Sequence, residues 1–448
     1  MATDDDDARV PVWLDCDPGH DDTFAILLAA YHPALRILGI STVFGNAALE
    51  KTTQNATSIL TAINKSHSIP VYVGASHALH RPPMHAPTDI HGESGLDGTT
   101  LLPEPTVPAI TSIPAIDAAH AALKACKPNT AWVVATGAFT NVAALFQKYP
   151  DLVSHVKGVS LMGGAIGGGF TNAVLGSVDG VPRIGNWTQF AEFNVLADPE
   201  AAEFIFSREG LKEKTTLVPL DVTHLVLTTR EVRELLLYGP PDRRAKIDEE
   251  EKKRKEQLAE GREEEEGELA RKLEEEVKKG RTTKLRVMLV ELLMFFAKTY
   301  SDVFGITAGP PLHDPLAVAA ILTGVGEQHE IPFSDVDPTA QGVAGAEGTQ
   351  QRERYKVEII TEGTYEEARD GARTGQVIAT LLPPGEEGVR IPRSLDINLF
   401  WRVLEECVAR ADEANAAAER ETEKGGGEAE AEAGAGKKAG QGCLRTTV

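Results

Sequence analysis

VPVWLDCDPGHDDTFAILLAAYH, residues 10–32, starts as an apolar run and ends with apolar residues at helical spacing, with Asp15, Asp17, Asp21 and Asp22 between. The first part is rich in β-branched residues and predicts a buried strand over 10–17; the last part predicts a helix. LRILGISTVFGN (35–46) reads as a second buried strand and completes a strand–helix–strand unit. The pattern recurs in IPVYVG (69–74), TAWVVATG (130–137) followed by TNVAALFQKYP (140–150), VKGVSLMGGA (156–165) and TTLVPLDVTH (215–224). Near-continuous apolar strands separated by helices predict an α/β fold, an open, mainly parallel, Rossmann-like sheet with helices on both faces. Ligands of such sheets sit beyond the carboxyl ends of the strands, and Asp17, Asn46, Thr136 and Met162 all fall at those ends.

The four aspartates of DCDPGHDD (15–22) then need an explanation. One or two of them can cap a helix and favour its dipole. The others are left crowded, and ionised carboxylates that close need a cation or raised pKa values. A hard cation bound by oxygen ligands resolves the repulsion. Calcium or magnesium fits; zinc fits less well, because no His/Cys cluster accompanies the aspartates. Further along, GPPLHDPLAVAAIL (309–322) sets His313 and Asp314 before a helix that Pro315 can open. Asp314 reads equally as an N-cap or as another cation ligand. AEFNVLADPEAAEF (191–204) offers Glu192 and Asn194, which suit either a polyhydroxylated ligand or turn chemistry before a helix at Pro199.

The remaining composition bounds the setting. The chain has 448 residues, 42% of them hydrophobic, enough for a large core. No apolar run is long enough to cross a bilayer, and MATDDDDARV lacks a signal-peptide pattern. Cys16, Cys126, Cys407 and Cys443 show no CxxC spacing, which points to a reducing, cytoplasmic setting, with the nucleus also open. A net charge of -22 argues against nucleic acid as a partner. The expected organisation is one catalytic domain over 10–410 with two inserts, a Gly-rich loop at 166–185 and a charged helical or disordered segment at 241–284. From 411 to 448 the Ala/Glu/Gly/Lys composition reads as a disordered tail.

DCDPGHDD resembles the N-terminal aspartate signature of the nucleoside hydrolases, calcium-dependent enzymes that cleave the N-glycosidic bond of ribonucleosides. The likeness continues in order through TVFGN (42–46), HGESGLDG (91–98), ATGAFTN (135–141), LMGG (161–164), GNW (185–187), AEFN (191–194) and PPLHDP (310–315). His313 matches the inosine–uridine-preferring branch. The resemblance implies hydrolysis of uridine, inosine and related ribonucleosides to ribose and free base. It implies Ca2+ held by Asp17, Asp22, Asp314 and the Thr136 carbonyl, with Asp17 also the general base. It implies that Asp21 and Asn194 hold the ribose 2′- and 3′-hydroxyls, with Asn46 supporting that corner. Asn186, Glu192 and Met162 would meet the 5′ side of the ribose, with Phe193 alongside. His91 and His313 would face the base, near Tyr300, with His313 as the leaving-group acid, and Asp15 would orient the cation ligands from behind. Relatives form homo-oligomers, dimers or tetramers, and the charged insert is placed to block or create such an interface.

Two other readings of the residues stand beside this one. An apolar strand ending in DxD also suits a Mg2+-dependent phosphatase with an Asp nucleophile, although Gly19 stands where that chemistry expects Thr or Val, and Asp21 and Asp22 would have no role. A non-catalytic nucleoside-binding or scaffold protein would instead put the charged insert and tail to use.

Overall fold

A computed structural model of the chain describes residues 7–84, 88–178, 180–241, 266–326, 328–337 and 352–439. The first eight strands in chain order are β1 (Val10–Cys16), β2 (Leu35–Thr42), β3 (Val71–Val73), β4 (Trp132–Ala135), β5 (Gly158–Met162), β6 (Ser177–Val178), β7 (Val181–Pro182) and β8 (Thr215–Val218). Six of them form one sheet in the order β3-β2-β1-β4-β5-β8, and every neighbouring pair in it is parallel. This is the open parallel sheet that the apolar strand pattern predicts.

Side chains alternate across each strand, so one strand feeds two cores. Val12, Leu14 and Cys16 of β1 enter a core with the helices Asp22–Tyr31, Lys284–Phe304, Pro315–Ala320 and the start of Ile397–Ala439. Trp13 enters the other, with the helices Ala115–Ala125, Thr140–Lys148 and Pro199–Ser207. Both faces are therefore covered, which is why the strands read as continuous apolar runs rather than alternating ones. The chain leaves β1 toward β2 on one side and returns through β4 on the other. A crevice opens at such a reversal, beyond the strand ends, and the ends of β1 and β4 deliver Asp17 and Thr136 to it.

The inserts take definite forms. Within 166–185, β6 and β7 make a small antiparallel hairpin, and Val178 packs with Tyr300, Phe304 and Ile306. Of the charged segment at 241–284, residues 242–265 lie outside the described residues. Its later part is a helix, Glu266–Lys278, whose Leu273 is buried in the first core.

At the tail the structure differs from the compositional reading. The helix that begins at Ile397 runs to Ala439, across the change of composition at 411. Docking explains the turns just past 411: Asp412 accepts from Thr283 Oγ1 at 2.6 Å and from Arg286 Nε at 2.6 Å. Asn415 Nδ2 donates to the Ala62 carbonyl at 2.9 Å. Residues 440–448, including Cys443, lie outside the described residues. Among the described residues no helix is long and apolar enough to cross a membrane.

Candidate active site

The loop after β1 brings its aspartates into the interior. Asp15, Asp17, Asp21 and Asp22 are all buried, and so is Asp314, which arrives from the other end of the chain. Asp21, Asp22 and Asp314 each place a carboxylate oxygen within 4.8 Å of the others. Neither Asp21 nor Asp314 caps its helix through the side chain, although both stand at N-cap positions. The capping explanation therefore fails for both, and their charge is left for something else.

The neighbours that hold these carboxylates are neutral donors. Asp22 accepts from Gly19 N at 2.9 Å, Thr136 Oγ1 at 2.8 Å and Asn46 Nδ2 at 3.2 Å. Asp17 Oδ2 accepts from Asn46 N at 2.7 Å, while its buried Oδ1 has no hydrogen-bond partner among the described residues. Gly45 lets the backbone pass that close: with φ at +157°, a Cβ there would lie 1.9 Å from Asp17 Oδ2. Asp15 points the opposite way, accepting from Ser41 Oγ and, at 2.8 Å, from Asn141 Nδ2. It braces the strand ends behind the cluster.

Burial without a cation raises every carboxyl here, because the charged form loses its hydration. Asp15 and Asp21 are pushed up to about 7, mainly by burial, with the Asp22 charge adding to it. Asp17 and Asp314 rise well above the carboxylate range for the same reason, and Asp22 rises with them. An orphaned buried oxygen on Asp17 and clustered oxygen donors with no lysine or arginine among them fit a hard divalent cation.

The pocket beside this cluster is lined on one side by Asp21, Asn46, Thr136, Met162 and Asn194. Asn194 is held by Nδ2 donating to the Thr136 carbonyl at 2.8 Å and the Met162 carbonyl at 3.2 Å. Glu192 lines the same pocket, but its oxygens accept backbone N–H groups from Gly164 at 2.7 Å, Asn194 at 2.8 Å and Val195 at 3.1 Å. It caps the short helix Phe193–Ala197 and holds the β5 end against it. Asn186 Oδ1 accepts from Phe193 N at 3.0 Å, and Phe193 meets Trp187 edge-on.

The other side of the pocket carries Ile90, His91, Tyr300, Phe304 and His313. His313 Nε2 lies 2.6 Å from the Tyr300 hydroxyl, and its Nδ1 lies 2.7 Å from Thr223 Oγ1. Burial, aided by His224 and His91, depresses His313 well below the ordinary histidine range. Tyr300 is raised by burial and also bonded by the Asn186 side chain. All fourteen sequence-derived candidates other than Asp15 thus line this pocket or sit in the acidic cluster beside it. Thr223, His224 and His20 were missed. Thr223 and His224 end TTLVPLDVTH, but β8 stops at Val218 and the helix Leu220–Thr223 follows, so only the fold sets them beside His313.

The sequence agrees with that geometry. The family model for inosine-uridine preferring nucleoside hydrolases matches residues 12–402. The chain belongs to this family. It is a nucleoside hydrolase, which sets aside the phosphatase and scaffold readings. A uridine nucleosidase of Saccharomyces cerevisiae is 37% identical over 408 residues, covering 91% of this chain and 98% of the relative. A pyrimidine-specific ribonucleoside hydrolase of Escherichia fergusonii is 34% identical, covering 70% of this chain and 79% of the relative. A purine-preferring ribonucleoside hydrolase from Gardnerella vaginalis shares the fold, with a TM-score of 0.63 at 23% identity, covering 90% of this chain and 99% of that one.

Proposed function

We propose that this nucleoside hydrolase cleaves ribonucleosides, uridine first and inosine and cytidine after it, to ribose and free base. The observation that carries this reading is the orphaned Asp17 Oδ1, buried beside the carboxylates of Asp21, Asp22 and Asp314. Asp17, Asp22, Asp314 and the Thr136 carbonyl would hold the cation, with Asp21 close enough to share in it, and calcium suits such a set of oxygen donors. When bound, calcium would acidify a water and fix its position.

The protein's own groups do the rest. Asp17 takes the proton of the attacking water as its oxygen bonds to C1′. The C1′–N bond breaks, and the base departs with the bonding pair and a proton. Asp21 and Asn194 hold the ribose 2′- and 3′-hydroxyls, and Asn46 keeps Asp17 and Asp22 aligned. Negative charge around the ribose favours the oxocarbenium-like state over the ground state. Asn186, Phe193 and the Met162 end of β5 position the 5′ side, with Glu192 keeping their backbone in place.

His313 serves as the leaving-group acid through its pairing with Tyr300. Asn186 Oδ1 is occupied by Phe193 N, so its Nδ2 is the atom that faces the phenol. In the reacting state His313, protonated on both nitrogens, gives its Nε2 proton to the Tyr300 oxygen while the Tyr300 hydrogen passes to the departing base nitrogen, and Thr223 Oγ1 accepts from Nδ1–H throughout.

The experiment is ribose release from uridine, cytidine, inosine, adenosine and guanosine, with calcium and after chelation, beside Asp17→Ala. Turnover that chelation and Asp17→Ala both abolish supports the reading. Turnover that survives either one overturns it.

A further inference from the structure

Resting on that reading, the walls of the pocket divide the substrate between them. The acidic cluster and Asn194 take the 2′- and 3′-hydroxyls, and His91, Tyr300 and His313 stand on the base side. The remaining wall, formed by Asn186, Trp187 and Phe193, is left for C5′ and whatever that carbon carries. Its largest side chain is Trp187, the last residue of GNW (185–187).

The backbone and the packing both fix where that indole sits. The loop from Gly185 to Phe193 closes on itself: Trp187 N and Thr188 N donate to the Ala191 carbonyl at 3.3 and 3.2 Å, and Phe193 N donates to Asn186 Oδ1. Only glycine fits at its start, because a Cβ on Gly185 would lie 2.0 Å from Ala191 O. The Trp187 ring meets Phe193 edge-on, centroids 5.3 Å apart, and packs against the buried Ala191, Leu196 and Ala368. Swinging the ring out of the wall would forfeit those contacts. The same ring carries a cation: the guanidinium carbon of Arg369, an exposed residue of the helix Tyr365–Arg369, lies over it at 5.7 Å from the centroid. That is within the roughly 6 Å reach of a cation–π contact.

We propose that Trp187 is the residue that makes this site refuse nucleoside 5′-phosphates, and that Arg369 is the cation such a phosphate would meet if the indole were removed. The hydroxymethyl group of a nucleoside is small and uncharged. A phosphate on the same carbon adds about two negative charges and three acceptor oxygens. An indole face offers those oxygens no donor, so placing them against it strips their water without compensation. The guanidinium that could compensate is held on the ring.

The test measures uracil release from uridine and from uridine 5′-monophosphate. Water cleaves the same C1′–N bond in both, leaving ribose or ribose 5-phosphate. Full-length, calcium-loaded wild type is compared with Trp187→Ala, Arg369→Ala and the double variant. Wild type should favour uridine in kcat/KM by about 1,000-fold or more. In Trp187→Ala that preference should shrink to about 30-fold or less, and adding Arg369→Ala should restore about tenfold of it, the worth of a charge-assisted bond to phosphate. Arg369→Ala alone should keep the wild-type preference, because the indole still fills the wall. A preference unmoved by Trp187→Ala, or a wild type that takes the phosphate as readily as uridine, would overturn the proposal. A double variant that matches Trp187→Ala would overturn the assignment of Arg369. Trp187→Phe guards against a collapsed loop: it keeps a ring beside Phe193 but is smaller, and it should still narrow the preference at least about threefold. If wild type turns over neither compound, the reaction reading fails, and calorimetric binding of uridine against its 5′-phosphate in the same proteins decides the proposal by the same ratios.

Discussion

Thr223 Oγ1 lies 2.7 Å from Nδ1 of His313, although ninety residues separate them in the chain. Thr223 ends the short helix Leu220–Thr223 that follows β8, and His313 precedes the helix opened by Pro315. The hydroxyl holds the imidazole from the side opposite Tyr300, so the ring cannot turn within the pocket. Thr223→Val keeps the shape and removes that bond. Losing one such bond in a buried site is worth about 1.4 kcal/mol, or about tenfold in rate. We expect kcat for uridine to fall about tenfold with little change in KM. A riboside with a nitrophenolate leaving group needs no proton and should lose less than about twofold. Equal losses on both substrates would make the Thr223 bond merely structural.

Removing the cation should expose the repulsion among Asp17, Asp21, Asp22 and Asp314. A ligand that binds only the folded state raises stability by mass action. At about 100 times its dissociation constant, calcium should add about 2.7 kcal/mol, seen as a higher Tm by calorimetry. Asp22→Asn should shrink that calcium-dependent rise, while the chelated variant melts no lower than chelated wild type, because one buried charge has gone. A calcium shift that survives Asp22→Asn would place the ion elsewhere.

His224 supplies a pH dependence whose sign is fixed. Its Nδ1 lies 2.7 Å from the Val174 carbonyl in the Gly-rich loop, and burial lowers it from 6.5 to about 4. Unfolded His224 therefore binds a proton below pH 6.5 that the folded protein refuses until about pH 4. Stability from this group is intact above pH 6.5 and is lost progressively as the pH falls toward 4. His224→Gln, neutral throughout, lacks that loss. The Tm of the variant minus that of wild type should rise steadily from pH 6.5 to pH 4. A flat difference would mean that His224 titrates normally when folded.

The six-stranded sheet was legible because strands covered on both faces are apolar along their whole length, as Leu14, Val133 and Val159 show. The acidic corner was legible because its residues are local in sequence. What was not legible depends on partners far along the chain. Thr223 looked like the end of a strand segment until the fold set it against His313. His20 stood inside the quoted motif, but its contact with the Asp97 carbonyl, 77 residues later, exists only in the fold. The tail was ambiguous for a different reason: Ala- and Glu-rich sequence suits both a solvated tail and a helix. Asp412, docked on Arg286, decides its first turns.

That docking has a measurable consequence for stability. Arg286 is fully buried, donating to Glu405 at 2.8 Å, to Asp412 at 2.6 Å and to the Leu236 carbonyl at 2.6 Å. One cation thus joins the helix Lys284–Phe304 to the C-terminal helix, beyond the charged insert. Removing one partner of a buried ion pair leaves the other charge uncompensated, at a cost of about 3–5 kcal/mol. Arg286→Met, which strands Glu405 and Asp412 together, should therefore lower Tm more than Asp412→Asn, which leaves Arg286 paired with Glu405. A stop codon after residue 422 should leave Tm unchanged, because the docked residues Asp412 and Asn415 remain. A stop before residue 411 should lower Tm by several degrees, for a loss of about 2 kcal/mol or more. If both truncations melt like the full chain, the C-terminal helix contributes nothing past 411, and the composition alone would have described it.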